Sequence, residues 1–257
     1  MTDTAAAQLT PALCEVAELQ YGMITHVQAA AAGVEDLPAA LVRSGLAETI
    51  TDDVIRLKAG AHHPHPEVYA AWLTLPVAGG VTAAERDTQA DGIASHSTAL
   101  VLWGLTAPYG PVWEFSVWNR YPMTDEEREL GGNSTLVEPD EPRIHWRARL
   151  PTWTTVDGIP TTTPAQTLFD LANRLDTDQL QDLAARFVTE HHFNPVHLRE
   201  DLLKRCLDQA DADGEFSEED QGDRTIDRRR PWNVPGPRGH NALEWTNRVA
   251  ADLPERW

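Results

Sequence analysis

Lysine is nearly missing from this 257-residue chain: Lys58 and Lys204 are the two present, and with arginine the bases number 21 against 40 acids, for a net charge of −19. Lys and Arg on phosphates supply most non-specific DNA affinity, so any duplex contact has to come from a local patch or from a dimer that gathers a few Arg. Acids outnumber bases in residues 1–62, 63–203 and 204–257 alike. Cysteine is scarce as well. Cys14 and Cys206 lie far apart in helix-like stretches, which suits reduced buried thiols rather than a disulfide framework. No apolar run reaches membrane-spanning length, and the first twenty residues hold Asp3, Glu15 and Glu18 but no Lys or Arg. The expectation is a cytoplasmic protein without a signal peptide and without a membrane partner.

Catalytic motifs are missing too. No GxxxxGK before Ser or Thr, no HExxH, no GxSxG and no paired CxxC occurs. A restriction-type nuclease places an acid two residues before a Lys, but Arg56 precedes Lys58 and Leu202 precedes Lys204 at that spacing. The chain is expected to be a non-enzyme with no cofactor and no metal. What it does have is 41% apolar residues, enough to give each of two domains a core.

The most informative stretch is VDGIPTTTPAQTLFDLA, Val156 to Ala172. Asp157, Gly158 and Pro160 break regular structure, Thr163 is an N-cap, and Pro164 is the first helical residue. Leu168, Leu171 and Ala172 then share a buried face, with Asp170 off it. Upstream, LTPALCEVAELQY reads as a helix ended by Gly22. Thr25 caps a second helix from His26, Gly33-Val34 makes a tight turn, and Asp36 to Ser44 follows as a third helix closed by Gly45. The run LAETITDDVIRLKAG alternates on either side of Thr51-Asp52-Asp53, as a hairpin would.

Taken in order, this helix-turn-helix and hairpin, then ASHSTALVLWGL (Ala94 to Leu105), then small-Thr-Thr-Pro with Thr-Leu-x-Asp-Leu-Ala, resemble the AbiEi family over about residues 10 to 205. That family supplies the antitoxin and transcriptional regulator of type IV toxin-antitoxin systems, a kind of phage defence. The resemblance implies an α+β protein: a winged helix-turn-helix domain (1–62), an α/β antitoxin-like domain (67–207), and a poorly structured tail (208–257). It implies operator DNA as partner, bound as a homodimer, and a nucleotidyltransferase-type toxin from a neighbouring gene, countered without stable contact. Thr25, His26, Arg43, Arg56 and Lys58 are the candidate DNA-binding residues. Ser95, His96, Thr163, Pro164, Thr167 and Asp170 carry the family signature in a structural role. The chain departs from the family at the wing tip and recognition helix, where Glu35, Asp36, Ala39, Ala40, Asp52 and Asp53 stand in place of bases. The alternative is a protein-interaction module on the same fold that does not bind DNA.

Other chemistry weighs less. His62 to Pro66 puts three imidazoles within four residues, but no second ligand pair follows, and a Pro-stiffened linker is the preferred reading. Helix 67–75 is expected to open the second domain. Ser95-His96-Ser97 invites a catalytic reading, but neighbours at a helix start diverge. Trp113, Phe115 and Val117 alternate with Glu114 and Ser116, and Ile144, Trp146, Ala148 and Leu150 alternate with His145, Arg147 and Arg149, so each strand is expected to have one wet face. Arg147 and Arg149 are secondary candidates for phosphate contact, as are Arg228, Arg229 and Arg230 in the tail. Helices from 177 should bury Leu180, Leu183, Ala184 and Phe187, with His191, His192 and His197 as loop residues at a junction. Gln209 to Asp220 partly matches an EF-hand loop, but Gln209 and Asp220 stand where Asp and a bidentate Glu belong, which favours an acidic linker. Asn241 to Leu253 suggests one last short helix.

Overall fold

A computed structural model describes residues 10–75, 92–107, 112–118, 142–147, 151–172, 174–205, 242–251 and 253. Helices and sheets both occur, giving an α+β protein. The chain divides into two compact units, residues 1–92 with 155–160, and residues 93–154 with 161–257. The boundary thus falls after Gly92, not in the His-Pro run. Residues 76–91, 119–141, 148–150 and 206–241 lie outside the description, and with them Arg149, the EF-hand-like loop, Arg228, Arg229 and Arg230.

The first unit begins with α1 (Pro11–Leu19), whose N-cap Thr10 accepts a hydrogen bond from the Leu13 amide. Strand β1 (Met23–Thr25), helix α2 (His26–Ala31) and helix α3 (Leu37–Arg43) follow. Thr25 and Gln28 form a capping box at the start of α2, which fixes its entry angle. Gly33 takes φ +71° between α2 and α3, a conformation that costs glycine little. Strands β2 (Ala47–Thr51) and β3 (Val54–Leu57) form the expected hairpin. β1 was not anticipated; it completes an antiparallel sheet of order β1-β3-β2. Leu13, Ala17, Ile24, Ala29, Leu37, Leu41, Ala47 and Ile55 make one core beneath that sheet. Cys14 is exposed, so the expectation of a buried thiol fails: it stands beside Leu13 on the opposite face of α1.

Helix α4 (Pro66–Leu73) belongs to this first unit, and Val68 to Leu73 are all buried. The expectation that it opens the second domain is corrected by its packing. Trp72 donates its indole N–H to the Gly92 carbonyl at 2.7 Å. His63 sits edge-on to Tyr21 and tilted against Tyr69, and its Nε2 lies 2.6 Å from the Asp157 carbonyl oxygen. The Pro-stiffened run is therefore anchored by His63 within the first unit and is not a linker between the two.

The second unit contains β4 (Ile93–Ala94), α5 (His96–Leu102), β5 (Glu114–Trp118) and β6 (Arg143–Arg147), with the start of β7 (Trp153–Val156) and the end of β8 (Ile159–Thr162), whose residues 155–160 fall in the first. The strands run in the order β6-β5-β4-β8-β7, with β4 antiparallel to β5 and parallel to β8, and β5 parallel to β6. Helix α6 (Pro164–Leu171) starts where the sequence places it, with Thr163 accepting from the Gln166 amide. Helix α7 (Thr177–His191) and a helix over 195–205 follow, and α8 (Ala242–Val249) lies near the end. Leu100, Leu168, Leu171, Leu180, Leu183, Phe187 and Leu202 belong to one core cluster. His191 ends α7 and His197 lies in the next helix; His192, at φ +56°, is the left-handed cap between them.

Candidate functional site

Two places carry the polar groups that bear on function, one in each unit. In the first unit the five anticipated DNA-facing residues divide. His26, Arg43 and Lys58 are exposed. Thr25 is buried and spends its hydroxyl on the Gln28 amide at 3.1 Å. Arg56 is buried too, and its guanidinium is held by Glu48 across the hairpin and by His62. As a duplex contact Arg56 is corrected: it lies on the face of β3 opposite Ile55, where Glu48 of β2 and His62 engage its guanidinium. The exposed side of α3 consists of Ala39 and Arg43. One guanidinium beside a methyl group offers little to read base edges.

The second unit holds an arrangement that the sequence reading missed. Glu114 and Ser116, expected on a wet face of β5, are both fully buried, because α5 and the adjoining strands cover that side. Into the same space comes His145 from β6, whose backbone lies opposite Ser116. Glu114 Oε1 accepts from Arg174 Nη1 at 2.6 Å and from His145 Nε2 at 3.2 Å, and Oε2 accepts from the Ser97 amide at 3.2 Å. Burial pushes the carboxyl up, but the His145 hydrogen bond and the Arg174 charge outweigh it and hold Glu114 at about 2. It is ionised at neutral pH.

His96 stacks on His145, with ring centroids 4.1 Å apart and planes at 26°. Its backbone takes φ +50°, unusual for a non-glycine residue at the head of a helix. Such a conformation costs on the order of 1–3 kcal/mol and persists where surrounding contacts impose it. That turn brings His96 Nδ1 to 3.0 Å from Ser95 Oγ, so the expected divergence of these neighbours does not occur. Ser95 is an N-cap by position, but its hydroxyl caps no amide. Ser95 is fully buried. Burial, then the charges of the neighbouring His145, Arg147 and Arg174, hold the His96 imidazole well below its ordinary range. His145 is lowered as well, chiefly by burial and against the pull of Glu114. Both rings are neutral at pH 7 and keep a nitrogen lone pair.

Arg147 Nη2 donates to Asp170 Oδ1 at 2.9 Å and its Nε to Ser116 Oγ at 3.2 Å. Asp170, expected off the buried face of α6, is instead buried, and Gln166 Nε2 donates to the same oxygen at 2.9 Å. Arg147 is thus committed to an internal pair and not to phosphate. Of the remaining signature residues, Thr163 caps α6, Pro164 is its first residue, and Thr167 is fully buried with its hydroxyl on Thr162 and on the Thr163 carbonyl. Thr163, Pro164, Thr167 and Asp170 thus all engage the start of α6 or its buried face.

Among the described residues, His96, Glu114 and His145 form the one group able to hold a metal ion, each offering a ligand atom within 4.8 Å of the others. The signal for this site was present but scattered. Glu114 and Ser116 on one strand, and His145 and Arg147 on another, share the same two-residue period, which puts both pairs on one side of the sheet if the strands are neighbours. Nothing in the sequence states that they are, and Arg174 lies beyond any local pattern. Compared with models of known protein families and with curated proteins, the chain matches none. No helix among the described residues is long and apolar enough to cross a membrane.

Proposed function

We propose that this chain is an antitoxin-like transcriptional regulator whose first unit is a winged helix-turn-helix and whose second unit is an AbiEi-like antitoxin domain. The observation that supports it is the order α1-β1-α2-α3-β2-β3 with the sheet β1-β3-β2. In a winged helix α3 enters the major groove and the β2-β3 hairpin lies along the backbone. On this reading the duplex meets His26, Arg43 and Lys58, and Arg56 braces the wing from within. The reading assigns no reaction to the chain; nucleotidyl transfer belongs to the toxin that it opposes from the cytoplasm.

Arg43 and Lys58 from two subunits neutralise about four phosphates, so the log-log salt slope should be near −3.6. Gel shifts of the full chain on its own upstream DNA at two salt concentrations test this. Arg43→Ala and Lys58→Ala are each expected to weaken binding and to flatten the slope by about 1.8 per dimer. Equal binding by both variants would remove the winged-helix reading. A second reading, a protein-interaction module, is favoured by one specific feature: Val27 and Leu46 are 55% and 60% exposed in a unit whose exposed hairpin tip is Asp52-Asp53. Failure to bind DNA at low salt would select it.

A further inference from the structure

Beyond any regulator role, and independently of it, we propose that His96, Glu114 and His145 form a binding site for a divalent transition-metal ion, with Arg174 holding the cation's place on Glu114 until the ion displaces it. Two imidazoles and one carboxylate are the ligand types that a borderline cation such as zinc takes, and three protein ligands leave a further position open. The separation of 3.2 Å between His145 Nε2 and Glu114 Oε1 is near what two atoms each about 2.1 Å from one ion would show. With all ligand atoms within 4.8 Å and about 3.4 Å expected between two ligands of one tetrahedral ion, closing the set takes side-chain movements of at most about 1.4 Å rather than a refolded strand.

Outer contacts already orient the set, as ligating residues require. The Ser97 amide fixes Glu114 Oε2, Ser95 Oγ fixes one nitrogen of His96, and the left-handed backbone at His96 keeps its ring against His145. The surroundings are rich in acceptors. Asp170 Oδ2 and Gln166 Oε1, next to Arg147, are buried without a hydrogen-bond partner. Arg174 is what opposes a cation, since its guanidinium lies on the oxygen the ion would use. Its side chain is 31% exposed while that of Glu114 is 1% exposed, so the arginine can swing to water and the carboxylate cannot. On binding, His145 gives up its hydrogen bond to Glu114 and carries its proton on the other ring nitrogen.

The test is calorimetric titration of the chelator-treated full chain with Zn2+, paired with Co2+ absorption and paramagnetic shifts of the histidine rings. One equivalent of Zn2+ should bind with a dissociation constant below about 1 μM, and Co2+ should shift the rings of His96 and His145 in the unaltered chain. His96→Gln and His145→Gln should each lose more than about 100-fold in affinity. Arg174→Gln should gain at least about tenfold, because a like charge leaves the site. The ring shifts need no substitution and decide the matter even if a histidine variant unfolds. Binding that is unchanged in His145→Gln, Co2+ shifts confined to His62, His65, His192 or His197, or a weaker Arg174→Gln would each overturn the proposal.

Discussion

The two units handle buried polarity in opposite ways. In the first, most of the described buried polar side chains pair with near neighbours in the chain: Thr25 with Gln28 three residues on, Gln28 with Gln20 eight residues back, and Arg56 with Glu48 and His62 eight and six residues away. In the second, Glu114 draws donors from 17, 31 and 60 residues away. The local set supports a small sheet and leaves the exposed surface to carry function. The long-range set concentrates charge in one place, strains the backbone at His96 and leaves acceptors on Asp170 and Gln166 unpaired. The first unit has strain and unsatisfied atoms too, Tyr21 and Asp157 at φ +55° and +48° and Thr51 Oγ1 and Arg56 Nε without a partner, so what separates the units is the span of the pairing.

Breaking the second set should have the largest effect. Glu114→Ala leaves Arg174, His145 and the Ser97 amide without their common acceptor, and removing one member of a buried pair costs about 3–5 kcal/mol. Denaturant unfolding followed by tryptophan fluorescence is expected to show that loss. A change under about 1 kcal/mol would mean that Arg174 and His145 find water instead. Glu114→Gln keeps an acceptor at Oε1 and should recover part of the stability.

That contrast also explains what could be read from the sequence. The helices and the hairpin of the first unit follow from caps, turn glycines and short periods, and they appear within a residue or two of expectation. Thr163-Pro164 likewise marks the start of α6. What local reasoning misjudged depends on partners remote in sequence. Alternation on β5 says which residues share a face, but not that Glu114 and Ser116 are buried on one face as Phe115 and Val117 are on the other. Arg56 looked available for phosphate because Lys58 near it is exposed, whereas Glu48 and His62 occupy its guanidinium. Asp170 looked solvent-facing because its partner Arg147 lies 23 residues upstream on another element. The placement of α4 failed for the same reason, since its Trp72 bonds to Gly92, 20 residues on.

A smaller effect is expected from backbone contact in the first unit. A Cβ added at Gly60 would lie 2.6 Å from the Gly22 Cα, and Gly22 is itself at φ +78°. Both partners are backbone, so neither can rotate away. Gly60→Ala should cost about 1–3 kcal/mol by overpacking, read as a lowered midpoint of thermal unfolding. Smaller again is the cap of α2. Thr25→Ala removes the acceptor for the Gln28 amide and should cost about 1 kcal/mol, while Thr25→Ser should cost less. Gln28→Ala should exceed both, since Gln20 is fully buried and its amide bonds Gln28 in both directions. If Thr25→Ala proved worse than Gln28→Ala, the first unit would not be organised by local pairs in the manner described.

The smallest effect concerns His63, a buried titratable group of the first unit whose partner Asp157 lies 94 residues away. Its ring lies against Tyr21 and Tyr69, accepts at Nδ1 from the His65 amide, and faces the Asp157 carbonyl from its other nitrogen. Burial lowers its pKa below 6.5, and hydrogen bonds with Asp157 and His65 and the Asp157 charge only partly offset that; the neighbouring His65 lowers it further. The unfolded chain therefore takes up a proton more readily than the folded one. Stability from this group is complete above pH 6.5 and declines as pH falls below it, with a slope of at most one proton per chain. His96 and His145 in the second unit are lowered in the same direction, so the unaltered protein sums all three. His63→Gln isolates the first unit's share: it should flatten the decline between about pH 7 and pH 5 while costing some stability at pH 8. An unchanged slope in His63→Gln, measured by denaturant midpoints across that range, would assign the whole acid response to the histidine pair of the second unit.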